Sequence, residues 1–173
     1  MPACELVLER ISLPAPIGQV LIVSDGHQVV GLEFDAPEKR LLKLLRTRFG
    51  AALSLHETAA WTPFSAPFRD YFAGDLHALD SVPVNAGGTA FQQRVWAALC
   101  QIPPGTTRTY GQIAAMIANP TAARAVGLAN ALNPVSLAIP CHRLIGSTGA
   151  LTGYGGGIER KRWLLEHERR VCA

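Results

Sequence analysis

One cysteine of this chain stands directly before a histidine, in the tetrapeptide Pro140-Cys141-His142-Arg143. Sulfur attacks carbon as a thiolate, and a free cysteine with a pKa of about 8.5 needs a base or a positive environment to ionise at neutral pH. The apolar run before it, VSLAIP (135–140), predicts a buried strand that delivers an ionised sulfur to the edge of a core. Since neighbouring residues of an extended chain point to opposite faces, we expect His142 to act on the sulfur through a relay.

Two features favour a reactive site here over a buried structural cysteine, which is what an isolated Cys-His dipeptide usually is. The loop that follows, GSTGALTGYGGG, is rich in glycine, and its backbone N–H groups are able to line a pocket. In the next helix, IERKRWLLEHE, Glu168 shares a face with Leu164 and Leu165 and so points inward. A buried carboxylate needs a partner, which His142 or Arg143 can supply; the alternative is a solvated Glu168 near a frayed helix end.

The elements before the cysteine predict a helix-turn-helix. Thr89 is placed to cap a helix that ends at Pro103, and Thr109 is placed to cap the short helix YGQIAAMI. The turn Asn119-Pro120-Thr121 then leads into a further helix, AARAVGLANAL. Two short helices joined by a tight turn are typical of this motif.

The second helix of this motif has an unusually bare outer face. The residues that share its inner face are small and apolar: Ala122, Ala125, Val126 and Ala129. The opposite face carries Arg124 beside Gly127 and Ala131, where a solvated helix would carry several charges. Such a face suits close approach to a large surface such as a DNA groove, and a helix packed on both faces is the equal alternative.

The first half of the chain predicts a scaffold without a reactive site. Three apolar runs, LVLERISL, QVLIVS and QVVGLEF, predict a small antiparallel sheet. The segment PEKRLLKLLRTRFG, beginning at Pro37, and the stretch 62–73, interrupted by Pro67, predict two helices. The glycines of VPVNAGG mark a boundary, which divides the chain into domains 1–86 and 87–173.

Composition places the chain among ordinary globular proteins. With 49% hydrophobic and 17% charged residues it can bury a core, which excludes a disordered tail. No apolar run approaches the roughly 20 residues that span a bilayer, so we expect no membrane contact and a cytoplasmic, nucleoid-associated protein, or a nuclear one in a eukaryote. The four cysteines include no CxxC pair, so we expect free thiols.

Charge is distributed unevenly between the two halves. Residues 1–88 hold 7 Lys and Arg against 10 Asp and Glu, a net charge of −3, whereas residues 89–173 hold 9 against 3, a net charge of +6. The positive surplus of the second half is compatible with a polyanionic partner.

The motifs from Phe91 to Glu168 together resemble one known family. FQQRVW, TYGQIA, NPTAARAVGLANALNPV, IPCHRL, TGYGGG and RKRWLLEHE occur in the order and spacing of the O6-alkylguanine-DNA alkyltransferases, closest in style to stand-alone bacterial members. The resemblance implies an α/β N-terminal domain (a small antiparallel sheet with helices, ribonuclease H-like) and a mostly α C-terminal domain with a winged-helix-like helix-turn-helix. It also implies single-turnover DNA repair: O6-alkylguanine, and more weakly O4-alkylthymine, is flipped out and its alkyl group passes irreversibly to one cysteine.

The resemblance assigns roles to individual catalytic residues. Cys141 matches the alkyl acceptor, and His142 and Glu168 match a relay in which the histidine, through a water, takes the thiol proton. Asn133 matches a residue that braces the turn before the cysteine, and Tyr110 matches a hydrogen-bond donor to the guanine ring.

The same resemblance assigns the groups that hold DNA and the base. The DNA-binding residues are Arg124, which enters the stack where the base has left, Tyr110, Gly127 and Ala131. The base pocket comprises Tyr154 and Gly155 as a lid, the backbone carbonyls of Cys141 and Leu144, and Arg143. The implied partner is double-stranded DNA bound through the minor groove by a monomer, with cooperative binding as an option.

No cofactor and no metal are expected. Some relatives hold a structural zinc in the N-terminal domain, but Cys4, His27 and His77 are scattered here without a convincing fourth ligand. Leu144 stands where the family commonly has valine. Because the role implied for this residue belongs to its backbone carbonyl, the different side chain does not affect it.

Two other classes of function remain as alternatives. A lesion sensor or helix-turn-helix regulator would share the DNA-binding features without transferring a group. A Cys-His hydrolase would use the same thiol on an acyl substrate, but it needs an oxyanion site and leaves Arg124 and the bare helix unexplained.

Overall fold

The first half of the chain builds one mixed sheet. In the computed structural model, which describes residues 4–34 and 38–173, the strand order is β3-β2-β1-β4. The strands are β1 (Glu5–Ser12), β2 (Gln19–Ser24), β3 (Val29–Phe34) and β4 (Ser54–Thr58). The first three pair antiparallel as expected, but β4 lies parallel to β1, so the predicted purely antiparallel sheet is wrong. The sequence SLHET of β4 lacks apolar alternation, and only its pairing with β1 makes it a strand.

Two helices cover this sheet and its edge. Helix α1 (Glu38–Phe49) buries Leu41 and Leu45 against the sheet, as its spacing predicts, whereas Pro37 lies outside the described residues. Helix α2 (Ser65–Ala73) is shorter than predicted and is not interrupted by Pro67. That proline lies in the first turn, where the backbone N–H has no helical acceptor to lose.

The second half is mostly helical, with the predicted helix-turn-helix in place. A 3-10 turn (Ala78–Ser81) precedes it, within the first half. The elements of the second half are, in chain order, α3 (Ala90–Cys100), β5 (Arg108–Thr109), α4 (Tyr110–Met116), α5 (Ala123–Ala131), a 3-10 turn (Cys141–Arg143), β6 (Leu144–Ile145) and α6 (Ile158–Cys172). Thr89 and Thr109 cap α3 and α4 as predicted, each in a capping box with a glutamine three residues later.

One hydrophobic cluster joins the two halves across the expected boundary at residue 86. Leu32 and Phe34 of β3 pack in the same core as Leu99 of α3 and Val126 of α5. The backbone N–H of Leu32 donates to the carbonyl of Pro134, and the N–H of Ser136 donates to the carbonyl of Leu32. The sheet therefore supports the segment that leads to Cys141.

That segment is not the predicted strand. Residues 135–140 fold into a tight turn in which Ser136 bridges Ile139 and Leu137 adopts a φ of 69°. Cys141 then begins a 3-10 turn instead of ending a strand. The apolar run is buried as expected, but its bonds to β3 are few: the N–H of Ser136 donates to Leu32 and its hydroxyl donates to Glu33. Packing, more than strand pairing, therefore fixes this segment.

Three features expected from composition can be compared with the residues that the structure describes. No helix within 4–34 and 38–173 is long and apolar enough to cross a bilayer. The same residues contain no group of three or more His, Cys, Asp or Glu side chains able to hold a metal ion. Cys4, Cys100, Cys141 and Cys172 are free thiols, as predicted.

Candidate active site

Cys141 lies on the wall of a cavity between the helix-turn-helix and the glycine-rich loop. Its side chain is buried, with 4% of the residue exposed. The cavity has a volume of about 370 Å³, within the usual range for small-molecule sites. The residues that line it come from both halves of the chain: Arg40, Tyr110, Gly127, Asn130, Ala131, Ser136, Cys141, Gly153, Tyr154 and Gly155.

The thiol of Cys141 is protonated at rest, contrary to the expectation of an ionised sulfur. Burial raises its pKa, and the neighbouring Asn133 amide and the charge of Arg40 oppose that rise only in part. The Sγ atom contacts the Oγ of Ser136 at 4.0 Å. A base must therefore remove the proton during the reaction.

His142, the next residue in the chain, has the charge state and the free ring nitrogen that a base requires. Its ring is fully buried, and burial lowers its pKa, so it is neutral at neutral pH. Its Nε2 lies 2.7 Å from Oε1 of Glu168, a carboxylate that can only accept, so Nε2 carries the proton. Nδ1 is left with a lone pair and is buried without a hydrogen-bond partner among the described residues.

Glu168 is held as a carboxylate by four donors. Besides His142, the hydroxyl of Tyr71 donates to it at 2.7 Å, Arg143 at 2.9 to 3.2 Å, and the backbone N–H of Gly105 at 3.1 Å. Burial alone would raise the pKa of Glu168, but the hydrogen bonds and charges of His142 and Arg143 hold it well below its usual range. The predicted inward orientation of Glu168 is confirmed, and both expected partners are present.

Neither Arg143 nor Leu144 is among the residues that line the cavity beside Cys141. The guanidinium of Arg143 binds Glu168 and the carbonyl of Ile102, and it does not line the cavity that contains Cys141. Leu144 has a buried side chain, and its carbonyl already accepts a hydrogen bond from Nζ of Lys161. Burial lowers the pKa of Lys161 to about 8.

Asn133 braces the turn before Cys141. Its Nδ2 donates to the carbonyl of Ile139 at 3.0 Å, and its Oδ1 accepts from the N–H of Val135 at 2.9 Å. Because the side chain is fully buried, both bonds are protected from water. They hold the two ends of the turn together.

The outer face of α5 is exposed and almost uncharged. Arg124 and Ala131 are exposed, as expected, but Ala125 is exposed as well and does not belong to the inner face. Gly127 is partly covered by Tyr110, since a Cβ at residue 127 would lie 3.5 Å from that ring. Leu128, four residues after Arg124, is apolar and has 62% of its surface exposed, a feature that the helical pattern did not predict.

Two tyrosines and a glycine enclose the cavity. The hydroxyl of Tyr110 shares a 2.6 Å hydrogen bond with Oγ1 of Thr152. The ring of Tyr154 packs edge-on against Phe34, and its buried hydroxyl lacks a partner among the described residues. A Cβ at Gly155 would lie 3.0 Å from Oε2 of Glu33, so this loop lies directly against β3.

Comparison with known proteins identifies the family. Residues 90–170 match the family model for the 6-O-methylguanine DNA methyltransferase, DNA binding domain. The methylated-DNA--protein-cysteine methyltransferase of Salmonella typhimurium is 42% identical over 166 residues, which cover 94% of this chain and 95% of that protein. The chain belongs to this family. The member from Haemophilus influenzae is 39% identical over 90% of this chain and 83% of its own length.

Solved structures of methyltransferases agree with the arrangement described above. The structure of Mycobacterium tuberculosis OGT in complex with DNA has a TM-score of 0.77 and 40% identity, covering 95% of this chain and 94% of that one. The O6-methylguanine-DNA methyltransferase from Pyrococcus kodakaraensis has a TM-score of 0.71 and 30% identity, covering 94% and 98%. The arrangement of an α/β first half and a helical second half is therefore that of the methyltransferase family.

Several residues of this methyltransferase site carry no local signal in the sequence. Tyr71 belongs to α2 in the first half, and Arg40 to α1, yet each reaches the site of the second half. Thr152 belongs to the glycine-rich loop and Ser136 to the run that predicts a strand, and neither side chain carries a signal of its contact with the site. A buried tyrosine hydroxyl needs a partner, which was the one usable hint for Tyr71.

Proposed function

We propose that this methyltransferase repairs DNA by moving the alkyl group of O6-alkylguanine to Sγ of Cys141, once per molecule. One observation carries the proposal: a buried, protonated thiol opens into a cavity beside α5, and His142 presents a free Nδ1 while Glu168 fixes its Nε2. O4-alkylthymine is the weaker substrate that the family resemblance implies.

The reaction begins with removal of the thiol proton. His142 Nδ1 accepts it through a bridging water, because no hydrogen bond joins the imidazole to Sγ directly among the described residues. The new bond joins Sγ to the alkyl carbon as the bond from that carbon to O6 breaks. The electron pair stays on guanine, and the Tyr110 hydroxyl donates a hydrogen bond to the ring as negative charge develops. Guanine then takes up a proton from solvent and becomes the normal base, while protonated His142 releases the thiol proton to solvent. The thioether has no hydrolytic exit.

Double-stranded DNA is the partner of this site. A base inside the stack is out of reach of Sγ, so the nucleotide must be flipped out, at a cost of a few kcal/mol. The small residues of α5 allow approach to the minor groove, and the exposed Arg124 replaces the missing base in the stack. The protein acts as a monomer without a cofactor.

The finer architecture is proposed on the same basis. The sheet order, with β4 parallel to β1, supports a ribonuclease H-like first domain, 1–86. The pairing of β5 with β6 beside α4 and α5 supports a winged-helix-like second domain, 87–173.

Mapping of the transferred group tests the function. The protein is mixed with an excess of duplex DNA carrying O6-methylguanine, the lesions cleared per protein molecule are counted, and the protein is digested and analysed by mass spectrometry. We expect one added methyl group on Cys141 and none on the exposed Cys100. A label on Cys100, no label at all, or several lesions cleared per protein molecule would overturn the proposal; binding without transfer would support a lesion sensor.

A further inference from the structure

Helix α1 concentrates the positive charge of an otherwise acidic half. Residues 1–88 contain 7 Lys and Arg, of which five belong to α1: Lys39, Arg40, Lys43, Arg46 and Arg48. Only one of the 10 acidic residues in that half, Glu38, lies in the same helix. A helix that served only as a cover for the sheet would need polar residues on its outer face, but not residues of a single sign.

Three of these residues form a single exposed stripe. Lys39, Lys43 and Arg46 are spaced so that they share one helix face, opposite Leu41 and Leu45, which pack on the sheet. All three are exposed, and none forms an ion pair with another described side chain. They share one open surface concavity: Lys39, Leu42, Lys43, Arg46, Thr47 and Ala51.

The position of the stripe is fixed relative to the DNA-facing helix. Arg40, next to Lys39, donates hydrogen bonds to the carbonyls of Ala131 and Asn133 at the C-terminal end of α5. Arg40 also forms an ion pair with the fully buried Glu33, so the orientation of the Arg40 side chain is fixed. The stripe therefore begins beside the end of α5 and extends from there along α1.

We propose that the basic stripe of α1, Lys39, Lys43 and Arg46, binds the phosphate backbone of the DNA whose lesion lies under α5. This proposal rests on the function proposed above and adds a DNA contact from the N-terminal half. The stripe is about 10 Å long, at 1.5 Å per helical residue. That length corresponds to about three phosphates of one strand, at 3.4 Å each.

Salt dependence of DNA binding tests the stripe. The variant Lys39→Gln, Lys43→Gln, Arg46→Gln removes three charges and keeps good helix formers. Each lost phosphate contact removes about 0.9 from the slope of log K against log salt, so we expect the slope to become less negative by about 2 to 3. The affinity ratio of wild type to variant should then be more than about tenfold larger at about 50 mM than at about 200 mM salt.

A matched variant separates this contact from the effect of net charge. Arg162→Gln, Arg169→Gln, Arg170→Gln removes the same charge from exposed positions of α6. We expect its slope to stay close to that of the wild type. An unchanged slope in the α1 variant, or an equal change in both variants, would overturn the proposal.

Lysine labelling of the wild-type protein gives a second, independent readout. The chain has three lysines, and Lys161 is fully buried, so the exposed side-chain amines are those of Lys39 and Lys43. Acetylation by an amine-reactive reagent should fall at both when duplex DNA is bound, whereas equal labelling with and without DNA would overturn the contact. Methylation of Cys141 is scored on the same sample, so failure of the stripe is distinguishable from failure of the repair function.

Discussion

The Nε2 atom of His142 donates to Oε1 of Glu168 across 2.7 Å, and both side chains are fully buried. Arg143 and Tyr71 hold the carboxylate in place, so the imidazole can neither rotate nor exchange its tautomer without breaking this network. The lone pair of the histidine is therefore fixed on Nδ1. Five predictions follow from this network and its surroundings, beyond the labelling and salt experiments.

Replacing Glu168 with glutamine should slow alkyl transfer by about 100-fold or more. The amide can present an N–H to Nε2, which stabilises the wrong tautomer and removes the lone pair from Nδ1, and a positioned base contributes about 10² to 10⁴. Single-turnover rates on an O6-methylguanine duplex measure the effect. Glu166→Gln, an exposed change on the same helix, is the control and should react at the wild-type rate. A Glu168→Gln protein with an unchanged rate would refute the relay.

The same variant should lose stability in a pH-dependent way. The folded-state pKa of Glu168 is held well below its usual value, so its contribution is complete above the unfolded pKa, about 4.5, and declines as the pH falls through the folded value. At pH 7 we expect a loss of about 3 kcal/mol in the free energy of unfolding, because Arg143 keeps a buried charge without its partner. In urea unfolding, the difference in the free energy of unfolding between wild type and variant should become smaller below about pH 4.5. A difference that grows as the pH falls would contradict the lowered pKa of Glu168.

The rate of alkyl transfer should be maintained to a lower pH than it would be with a histidine of ordinary pKa. Burial lowers the pKa of His142, so the neutral base persists below about pH 6.5 and the rate declines only at lower pH. Single-turnover rates between pH 8 and pH 5 give the midpoint. His77→Gln, at an exposed position, should leave the profile unchanged. A midpoint above the ordinary value would show that His142 is charged at rest.

Asn133→Ala should cost about 2 kcal/mol of stability and slow transfer. It leaves the carbonyl of Ile139 and the N–H of Val135 buried without their partner. Asn133→Asp separates the two bonds, since it keeps the acceptor for Val135 and replaces the donor to Ile139 with an oxygen. We expect the Asn133→Asp protein to transfer the alkyl group at a rate between those of Asn133→Ala and the wild type. Single-turnover rates are measured together with urea unfolding curves. Equal rates for both variants and the wild type would exclude a bracing role.

Arg124→Ala should impair repair of duplex DNA more than repair of single-stranded DNA. The arginine offsets the cost of extruding a stacked base, and a single strand has little of that cost. Comparing single-turnover rates on the two substrates gives the ratio, with Arg162→Ala as the control for loss of one exposed charge. An equal loss on both substrates would assign Arg124 to phosphate binding alone.

Local sequence signals fixed much of this architecture in advance. The threonine caps at Thr89 and Thr109 act through residues three positions away, so they can be recognised without any tertiary structure. The inward orientation of Glu168 follows from helical periodicity alone, and it is confirmed. The motifs around Cys141 identified the family for the same reason: they are contiguous in the chain.

The remaining features depend on residues that are distant in sequence. Strand β4 exists because β1 pairs with it, and the turn at 135–140 bends because β3 anchors it at two points. Arg143 joins Glu168 instead of the base cavity, and Tyr71 completes that site from 97 positions away. Thus the sequence by itself predicted the candidate catalytic groups, Cys141, His142 and Glu168, and the helices around them. Tertiary packing decided their partners and the charge state of the thiol, because burial and long-range hydrogen bonds arise only when the two halves close on one core.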